Sequence, residues 1–155
     1  MVDPIAQGLA LAGGAIALLG GLAGSSIGIG RAGSAGTAAL TISKRYTGSI
    51  FLLAALPITQ TFYGLIVLIN FILYVNSHPD IDLTKGIALL ALGIMVCGAE
   101  FFSAMKLGDV CAVSISIIPR TRGKLTLSSM ILSVYVGIIG ILGMVFSIMA
   151  LNLMA

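Results

Sequence analysis

The stretch GIALLALGIMVCGAEFFSAM, residues 86–105, is an apolar run with one carboxylate inside it, Glu100. Its length is enough to cross the hydrocarbon core of a bilayer as a helix, which takes about 20 residues. No other carboxylate lies within eight residues of Glu100 on either side. A charged side chain at bilayer depth costs at least about 2.5–3.5 kcal/mol, so Glu100 is a candidate functional residue.

The composition of the whole chain also indicates a membrane protein. Of its 155 residues, 59% are hydrophobic and 8% are charged, whereas a typical soluble domain carries about 25% charged residues. Hydropathy and turn signals predict four helices, over about residues 5–43, 48–76, 84–118 and 125–153. The chain is therefore predicted to be an all-α membrane protein with four transmembrane helices.

The two halves of the chain have the same layout. An offset of 77 residues places Ser26 on Ser103 and Arg45 on Arg122, and each half has a small-residue helix, a basic turn and a bulkier helix. We predict a tandem pair of helical hairpins, residues 1–78 with helices 1 and 2 and residues 79–155 with helices 3 and 4. Both hairpins run in the same direction, which excludes an inverted-repeat transporter.

The basic residues predict the topology. Lys and Arg concentrate in cytoplasmic loops, so we predict that both basic turns are cytoplasmic and that both termini and the 77–84 loop are on the other side. Topology accounts for these residues without a nucleic-acid partner. The basic residues at the two turns are Arg31, Lys44 and Arg45, and Arg120, Arg122 and Lys124.

Glycines on the first helix predict close helix packing. Gly20, Gly24 and Gly28 form consecutive small-xxx-small steps, which let helix backbones approach closely. Slim helices of this kind suit the crowded inside of a curved wall, with bulkier helices outside. This geometry predicts a homo-oligomeric ring in the lipid bilayer.

Three stretches carry a resemblance to a known family: SSIGIGRAG at 25–33, LPITQTFYG at 56–64 and SAMKLGDVCA at 103–112. The chain resembles the proteolipid ring subunit (the K or c subunit) of V/A-type rotary ATPases in its duplicated four-helix form. The resemblance implies a rotor ring that translocates H⁺ or Na⁺ through an intramembrane carboxylate, coupled to ATP hydrolysis or synthesis. It implies a membrane stator subunit and central-stalk subunits as partners. It implies no catalytic chemistry on this chain alone, and no cofactor besides the transported ion.

The same resemblance implies an ion site on the second helix. It places a carbonyl ligand at Leu56, a hydroxyl ligand at Thr59, an amide ligand at Gln60 and a carboxylate-holding tyrosine at Tyr63, so Na⁺ is a possible occupant. Independently, hard cations prefer oxygen ligands, and Pro57 frees a backbone carbonyl one turn back. The alternative interpretation is that Pro57 only kinks the helix and that Thr59 and Gln60 stabilise helix contacts.

The chain departs from the family pattern at the carboxylate. The pattern places an ion-carrying glutamate on an outer helix, but the fourth helix has no acidic residue, and Glu100 is on the third. Counted from the nearest basic turn into the membrane, Gln60 lies about 14 residues deep and Glu100 about 22 residues deep. This difference is roughly 12 Å of helix, so we predict that the two residues do not meet within one chain unless the helices are displaced. The alternative is that the partner comes from a neighbouring copy in the ring. The expected positions of the glutamate are Val134, Tyr135, Gly137 or Ile138, and Ile58 on the second helix.

Lys106 has two interpretations. It can form an i,i+3 ion pair with Asp109 near the membrane interface, or it can approach the ion path and act on Glu100. The function has alternatives as well: a non-conducting ring component or membrane scaffold with a decayed ion site, or a small four-helix proton-coupled transporter. The transporter is disfavoured because such proteins use aromatic residues to contact a substrate, and the chain has no Trp and only four Tyr.

Overall fold

The computed structural model describes residues 3–154, a helical chain with four spans long and apolar enough to cross a membrane. The second of these spans, Lys44–Ser77, begins with a short 3₁₀ turn over Lys44–Tyr46 and is interrupted by another over Leu56–Ile58. The prediction of an all-α protein with four spans is confirmed. Residues 1, 2 and 155, which belong to the predicted hairpins, lie outside the described range. The helices are α1 (Pro4–Ile42), α2 (Thr47–Ala55), α3 (Thr59–Ser77), α4 (Leu83–Ile117) and α5 (Thr126–Met154).

Acidic residues begin the two small-residue helices. Asp3 Oδ1 accepts hydrogen bonds from the backbone N–H groups of Ile5 and Ala6, at 3.0 and 3.3 Å, and Asp82 Oδ1 accepts from the N–H of Lys85 at 3.2 Å. These bonds satisfy N–H groups that a helix leaves without intrahelical partners at its start. Asp3 and Asp82 therefore cap α1 and α4 as well as adding negative charge to that end of the molecule.

The two basic turns are in contact. Gly123 has a φ of +76°, a conformation that glycine adopts without strain. A Cβ added there would lie 2.9 Å from Cε1 of Tyr46. The turn after α4 thus folds against the turn after α1, and the cations of both turns lie at one end of the molecule.

Pro57 interrupts the second span. It has no N–H group to continue the α-helical ladder, and residues Leu56–Ile58 form a 3₁₀ turn in which the N–H of Thr59 donates to the Leu56 carbonyl. The Pro57 carbonyl accepts a hydrogen bond from Ser25 Oγ on α1 at 2.5 Å. The proline therefore changes the helix locally and also directs a backbone oxygen toward a neighbouring helix.

Helices α1 and α4 pack in parallel through their glycines. A Cβ at Gly24 would lie 2.6 Å from the Phe101 carbonyl oxygen, and one at Gly28 would lie 2.5 Å from that of Ala104. A Cβ at Gly20 would overlap the backbone of Cys97. The glycine contacts predicted for α1 are therefore contacts with α4 in the same chain. Gly20 and Gly24 each face a residue 77 positions later, which agrees with the predicted repeat.

Large apolar side chains cover the outside of the bundle. Phe51, Phe62, Leu127 and Phe146 are exposed, whereas a polar outer face would be expected of a soluble four-helix protein. These helices are apolar on every face, which is the pattern of a membrane span. The outer surface therefore suits contact with lipid or with neighbouring copies of the chain.

We expect Gly24→Ala to destabilise the folded chain, because its Cβ would meet backbone atoms of Phe101 that cannot move independently. Overpacking of this kind costs about 1–3 kcal/mol. The matched control is Gly30→Ala on the same helix, since no neighbouring atom of residues 3–154 lies within 4 Å of a Cβ there. Thermal unfolding of the detergent-solubilised protein measures both. Equal melting temperatures for the two variants would contradict the packing interpretation. Leu at Gly24 or Gly28 is expected to block ring assembly indirectly, because it would hold α1 away from α4 within each chain.

Candidate functional site

Glu100 is fully enclosed by the chain. Its exposed fraction is 0%, and neither Oε1 nor Oε2 has a hydrogen-bond partner among the described residues. Buried polar groups in proteins are almost always hydrogen-bonded, and a buried charge without a partner is costly. An enclosed carboxylate whose two oxygens both lack a donor is therefore the strongest indication of a binding site in the described part of the chain.

The carboxylate of Glu100 lies beside the amide of Gln60. Both face Gly140 on α5: a Cβ at Gly140 would lie 2.5 Å from Glu100 Oε2 and 3.1 Å from Gln60 Nε2. Gln60 is also fully buried. The site is therefore at the junction of α3, α4 and α5, and the absence of a side chain at Gly140 makes room for it.

The prediction that Glu100 and Gln60 do not meet within one chain is wrong. It counted depth from the basic residues, but Arg122 lies beyond the end of α4. Helix α4 ends at Ile117, 17 residues after Glu100, and the second span begins at Lys44, 16 residues before Gln60. Measured from the helix ends, the two residues lie at nearly the same depth.

The three predicted oxygen ligands of the second span are close together. Thr59 Oγ1 lies 2.9 Å from the Leu56 carbonyl oxygen and 2.6 Å from Gln60 Oε1. The hydroxyl has a single hydrogen, so it donates to one of these oxygens at a time. One hydrogen is therefore shared among three oxygens. A group of oxygens of this kind is the ligand type that hard cations prefer.

The Gln60 amide joins three helices. Its Nε2 donates to Ser103 Oγ on α4 at 2.7 Å and to the Gly137 carbonyl on α5 at 3.3 Å. Ser103 Oγ in turn donates to the Val136 carbonyl at 2.9 Å. Both amide hydrogens of Gln60 are thus in use, which leaves the Glu100 carboxylate without a donor from this side chain.

A cavity of about 90 Å³ lies next to this network, between the second span, α4 and α5. One water molecule needs roughly 10–15 Å³ of such space, so the cavity has room for several. Its lining includes Thr59, Tyr63, Val134 and Gly137. Val134 and Gly137 are two of the positions where the family pattern places the outer-helix carboxylate, and in this chain they form the wall of a cavity.

Tyr63 lines the cavity and makes no hydrogen bond to Glu100, whose carboxylate oxygens have no partner among residues 3–154. The predicted role of Tyr63 in holding the carboxylate is therefore not seen. The reason is that the carboxylate belongs to α4, whereas Tyr63 faces the cavity beside α5.

Lys106 is part of an exposed ion cluster. Its Nζ lies 3.4 Å from Asp109 Oδ2, and Arg31 Nη1 lies 2.5 Å from Asp109 Oδ1. These contacts agree with the interfacial ion pair and give no support to an approach of Lys106 to the buried Glu100. The assignment of Arg31 to the first basic turn is wrong: it lies within α1, eleven residues before the helix ends at Ile42, and its ion pair with Asp109 links α1 to α4.

Two residues of the site, Ser103 and Gly140, were not predicted from the sequence. Ser103 had a signal, since the repeat offset aligns it with Ser26 and it begins one of the three matching stretches. Gly140 had only the general signal of a glycine within an apolar helix. Its position opposite Glu100 depends on how α5 packs against α4, which no local pattern specifies.

Comparison with known proteins agrees with this architecture. Residues 5–71 match the family of the ATP synthase C subunit. The V-type sodium ATPase subunit K of Enterococcus hirae is 30% identical over 124 residues, which are 80% of this chain and 78% of the relative. The chain belongs to the proteolipid family of rotary ATPases.

Proteolipids of this family form rings in the membrane, and this chain is a multi-pass ring subunit. The family match at 5–71 includes the Leu56, Thr59 and Gln60 cluster and ends before Glu100. The 124 residues aligned with the subunit K relative exceed the length of the first hairpin, so that similarity extends into the second hairpin, where Glu100 lies.

Proposed function

We propose that this proteolipid carries ions through the membrane on the Glu100 carboxylate, as the rotor-ring subunit of a V/A-type ATPase. The observation that supports the proposal is the enclosed, unpartnered carboxylate of Glu100 beside the buried amide of Gln60. In this proposal Glu100 takes the role that the family pattern gives to an outer-helix glutamate, and reaches the same amide from the neighbouring helix.

The mechanism is ion exchange at this carboxylate. A protonated or cation-bound Glu100 is neutral and tolerates an apolar environment, whereas the bare charge does not. The ring therefore rotates through lipid only with the site filled, and releases its ion where another group compensates the charge. An arginine on the membrane stator subunit would supply that charge and enforce one direction of rotation.

We propose Na⁺ as the transported ion. The support is the group of oxygens from Leu56, Thr59 and Gln60, in which the Gln60 amide also lies near the Glu100 carboxylate, together with the relative that is named as a sodium ATPase subunit. Oxygen ligands with one carboxylate are a donor set that a hard cation prefers. H⁺ is the alternative, and it requires only the carboxylate.

Ion uptake by the whole complex in proteoliposomes distinguishes the two ions. With ATP supplied, a sodium carrier is expected to accumulate ²²Na⁺ and to slow in Na⁺-free medium. Acidification of the vesicle interior at full rate without Na⁺ would show that H⁺ is the ion. In either case the ATP-hydrolysing head and the central stalk are other subunits, because this chain supplies the membrane ring.

A second candidate function is a ring component whose ion site has decayed. The observation in its favour is that α5, over Thr126–Met154, has no acidic residue. A ring with this property would assemble and turn without transporting an ion at its own site. Loss of the Glu100 carboxylate would then leave ion-coupled activity unchanged.

We further propose that both basic turns are cytoplasmic and that α1 begins and α5 ends on the opposite side. The expected result is that Ser43→Cys is labelled from the cytoplasm and Ser77→Cys from the outside, in a background in which Cys97 and Cys111 are replaced. Membrane-impermeant maleimides applied to intact cells and inverted vesicles measure this. Labelling of Ser77→Cys from the cytoplasm alone would overturn the topology.

A further inference from the structure

We propose that Ser103 is a positioning residue that makes the Gln60 amide oxygen face the ion, and thereby sets the affinity of the site for a cation. This inference rests on the proposed function of Glu100 and Gln60 in ion binding. It concerns a residue of α4 that touches neither of the reacting carboxylate oxygens, and acts through the side chain of Gln60.

Two backbone carbonyls of α5, those of Val136 and Gly137, accept hydrogen bonds from this network. A carbonyl oxygen can only accept hydrogen bonds. Ser103 Oγ is 2.9 Å from the Val136 carbonyl, so its single hydrogen points to α5. The lone pairs of the hydroxyl are then available on the other side, where Gln60 Nε2 donates to them at 2.7 Å.

The Gly137 carbonyl fixes the second hydrogen of the same amide. Gln60 Nε2 lies 3.3 Å from this oxygen. An amide group whose nitrogen faces two acceptors has its oxygen on the opposite side, and Gln60 Oε1 does lie there, 2.6 Å from Thr59 Oγ1. Ser103 and the Gly137 carbonyl of α5 therefore determine the polarity of the amide, that is, whether its oxygen or its nitrogen faces Thr59.

This polarity determines what the site can bind. In the observed orientation Gln60 Oε1 lies 2.6 Å from Thr59 Oγ1, which itself lies 2.9 Å from the Leu56 carbonyl oxygen, so the amide adds an oxygen of the kind that a cation prefers. With the amide reversed, an N–H group would face these oxygens and a cation would be repelled. A reversed amide would place its oxygen against the Gly137 carbonyl, which cannot donate, and would require the Ser103 hydrogen to leave the Val136 carbonyl.

Loss of the hydroxyl removes one of the two acceptors that orient the amide. Ser103 is 3% exposed, so water does not readily replace it. A buried donor left without its partner typically costs enough to change an equilibrium constant by about tenfold. We expect Ser103→Ala to raise the dissociation constant for Na⁺ by about this factor, with the number of sites per chain unchanged.

Equilibrium binding of ²²Na⁺ to the detergent-purified ring of full-length chains tests the proposal. The matched control is Ser26→Ala, at the repeat equivalent of Ser103. The exposed hydroxyl of Ser26 donates to the Ala23 carbonyl within its own helix. Ser103→Thr retains the hydroxyl and is expected to restore binding. Thermal unfolding of each ring is measured in parallel, since a purely structural role would lower stability without a selective change in affinity.

Three results would overturn the positioning role: equal affinity in Ser103→Ala and Ser26→Ala, no restoration by Ser103→Thr, or no Na⁺ binding by the unaltered ring. The proposed function fails by a different result, which is full ion-coupled ATP turnover in Glu100→Gln. Na⁺ binding that disappears in Glu100→Gln but is unaffected by Ser103→Ala would keep the function and reject the role of Ser103.

Discussion

Replacement of Glu100 by Gln is expected to reduce ion-coupled ATP turnover to background while the ring still assembles. The amide has nearly the same size as the carboxyl group and fits the same enclosed space, so packing is retained. It cannot exchange a proton or neutralise a cation, so the site stops carrying charge. ATP hydrolysis by the reconstituted complex, together with ion uptake into vesicles, measures the loss.

The matched control for this variant is Asp109→Asn on the same helix. Asp109 is half exposed and pairs with Arg31 and Lys106, outside the site. Turnover is expected to remain near that of the unaltered complex, since exposed ion pairs contribute little, about 0–1 kcal/mol. Gln60→Ala is expected to weaken ion affinity and leave some turnover. Normal coupled activity in Glu100→Gln would show that the acid is structural and that the ions are transported by a different component of the complex.

Replacement of Gly140 by Ala is expected to weaken ion binding by about tenfold or more. The added Cβ would lie 2.5 Å from Glu100 Oε2 and 3.1 Å from Gln60 Nε2, so both side chains of the site have to move. Strain from an inserted methyl group in a packed core is about 1–3 kcal/mol, and each 1.4 kcal/mol is a factor of about ten in affinity. Ion titration of ATP hydrolysis by the whole complex measures the change.

Gly137→Ala is the control for Gly140→Ala, one helical turn away on α5. A Cβ there would be 3.7 Å from Gln60 Nε2 and 3.9 Å from Leu107 Cδ2, which are ordinary contact distances. The methyl group enters the edge of the cavity without touching the carboxylate, so ion affinity is expected to change much less. Equal effects of the two substitutions would mean that Glu100 does not occupy the space beside Gly140 in the working ring.

The spans could be predicted from the sequence because hydropathy and turn residues are local signals. The close approach of α1 to another helix followed from the spacing of Gly20, Gly24 and Gly28, although the identity of its partner, α4, did not. The cluster of Leu56, Thr59 and Gln60 is likewise local, since these residues lie within about one turn of helix. Each of these features depends on residues that are near one another in the chain.

The meeting of Glu100 with Gln60 could not be predicted, because it depends on where α4 ends. The basic residue Arg122 was the visible marker of the turn, but residues 118–125 lie outside the helices, so counting from Arg122 exaggerated the depth of Glu100. The roles of Ser103 and Gly140 depend on the packing of α5 against both hairpins. The Arg31–Asp109 pair spans 78 residues of sequence, and no periodicity in either helix indicates it.

Carbodiimide modification of the intact ring, mapped by mass spectrometry, tests most directly whether Glu100 is the ion-carrying carboxylate. Carbodiimides react with protonated carboxyl groups in apolar surroundings, and this residue is enclosed between α3, α4 and α5. An adduct on Glu100 that forms in parallel with the loss of ATP-driven transport, and that Na⁺ suppresses, is the predicted result. Loss of transport with Glu100 unmodified would contradict the carrier role of this residue.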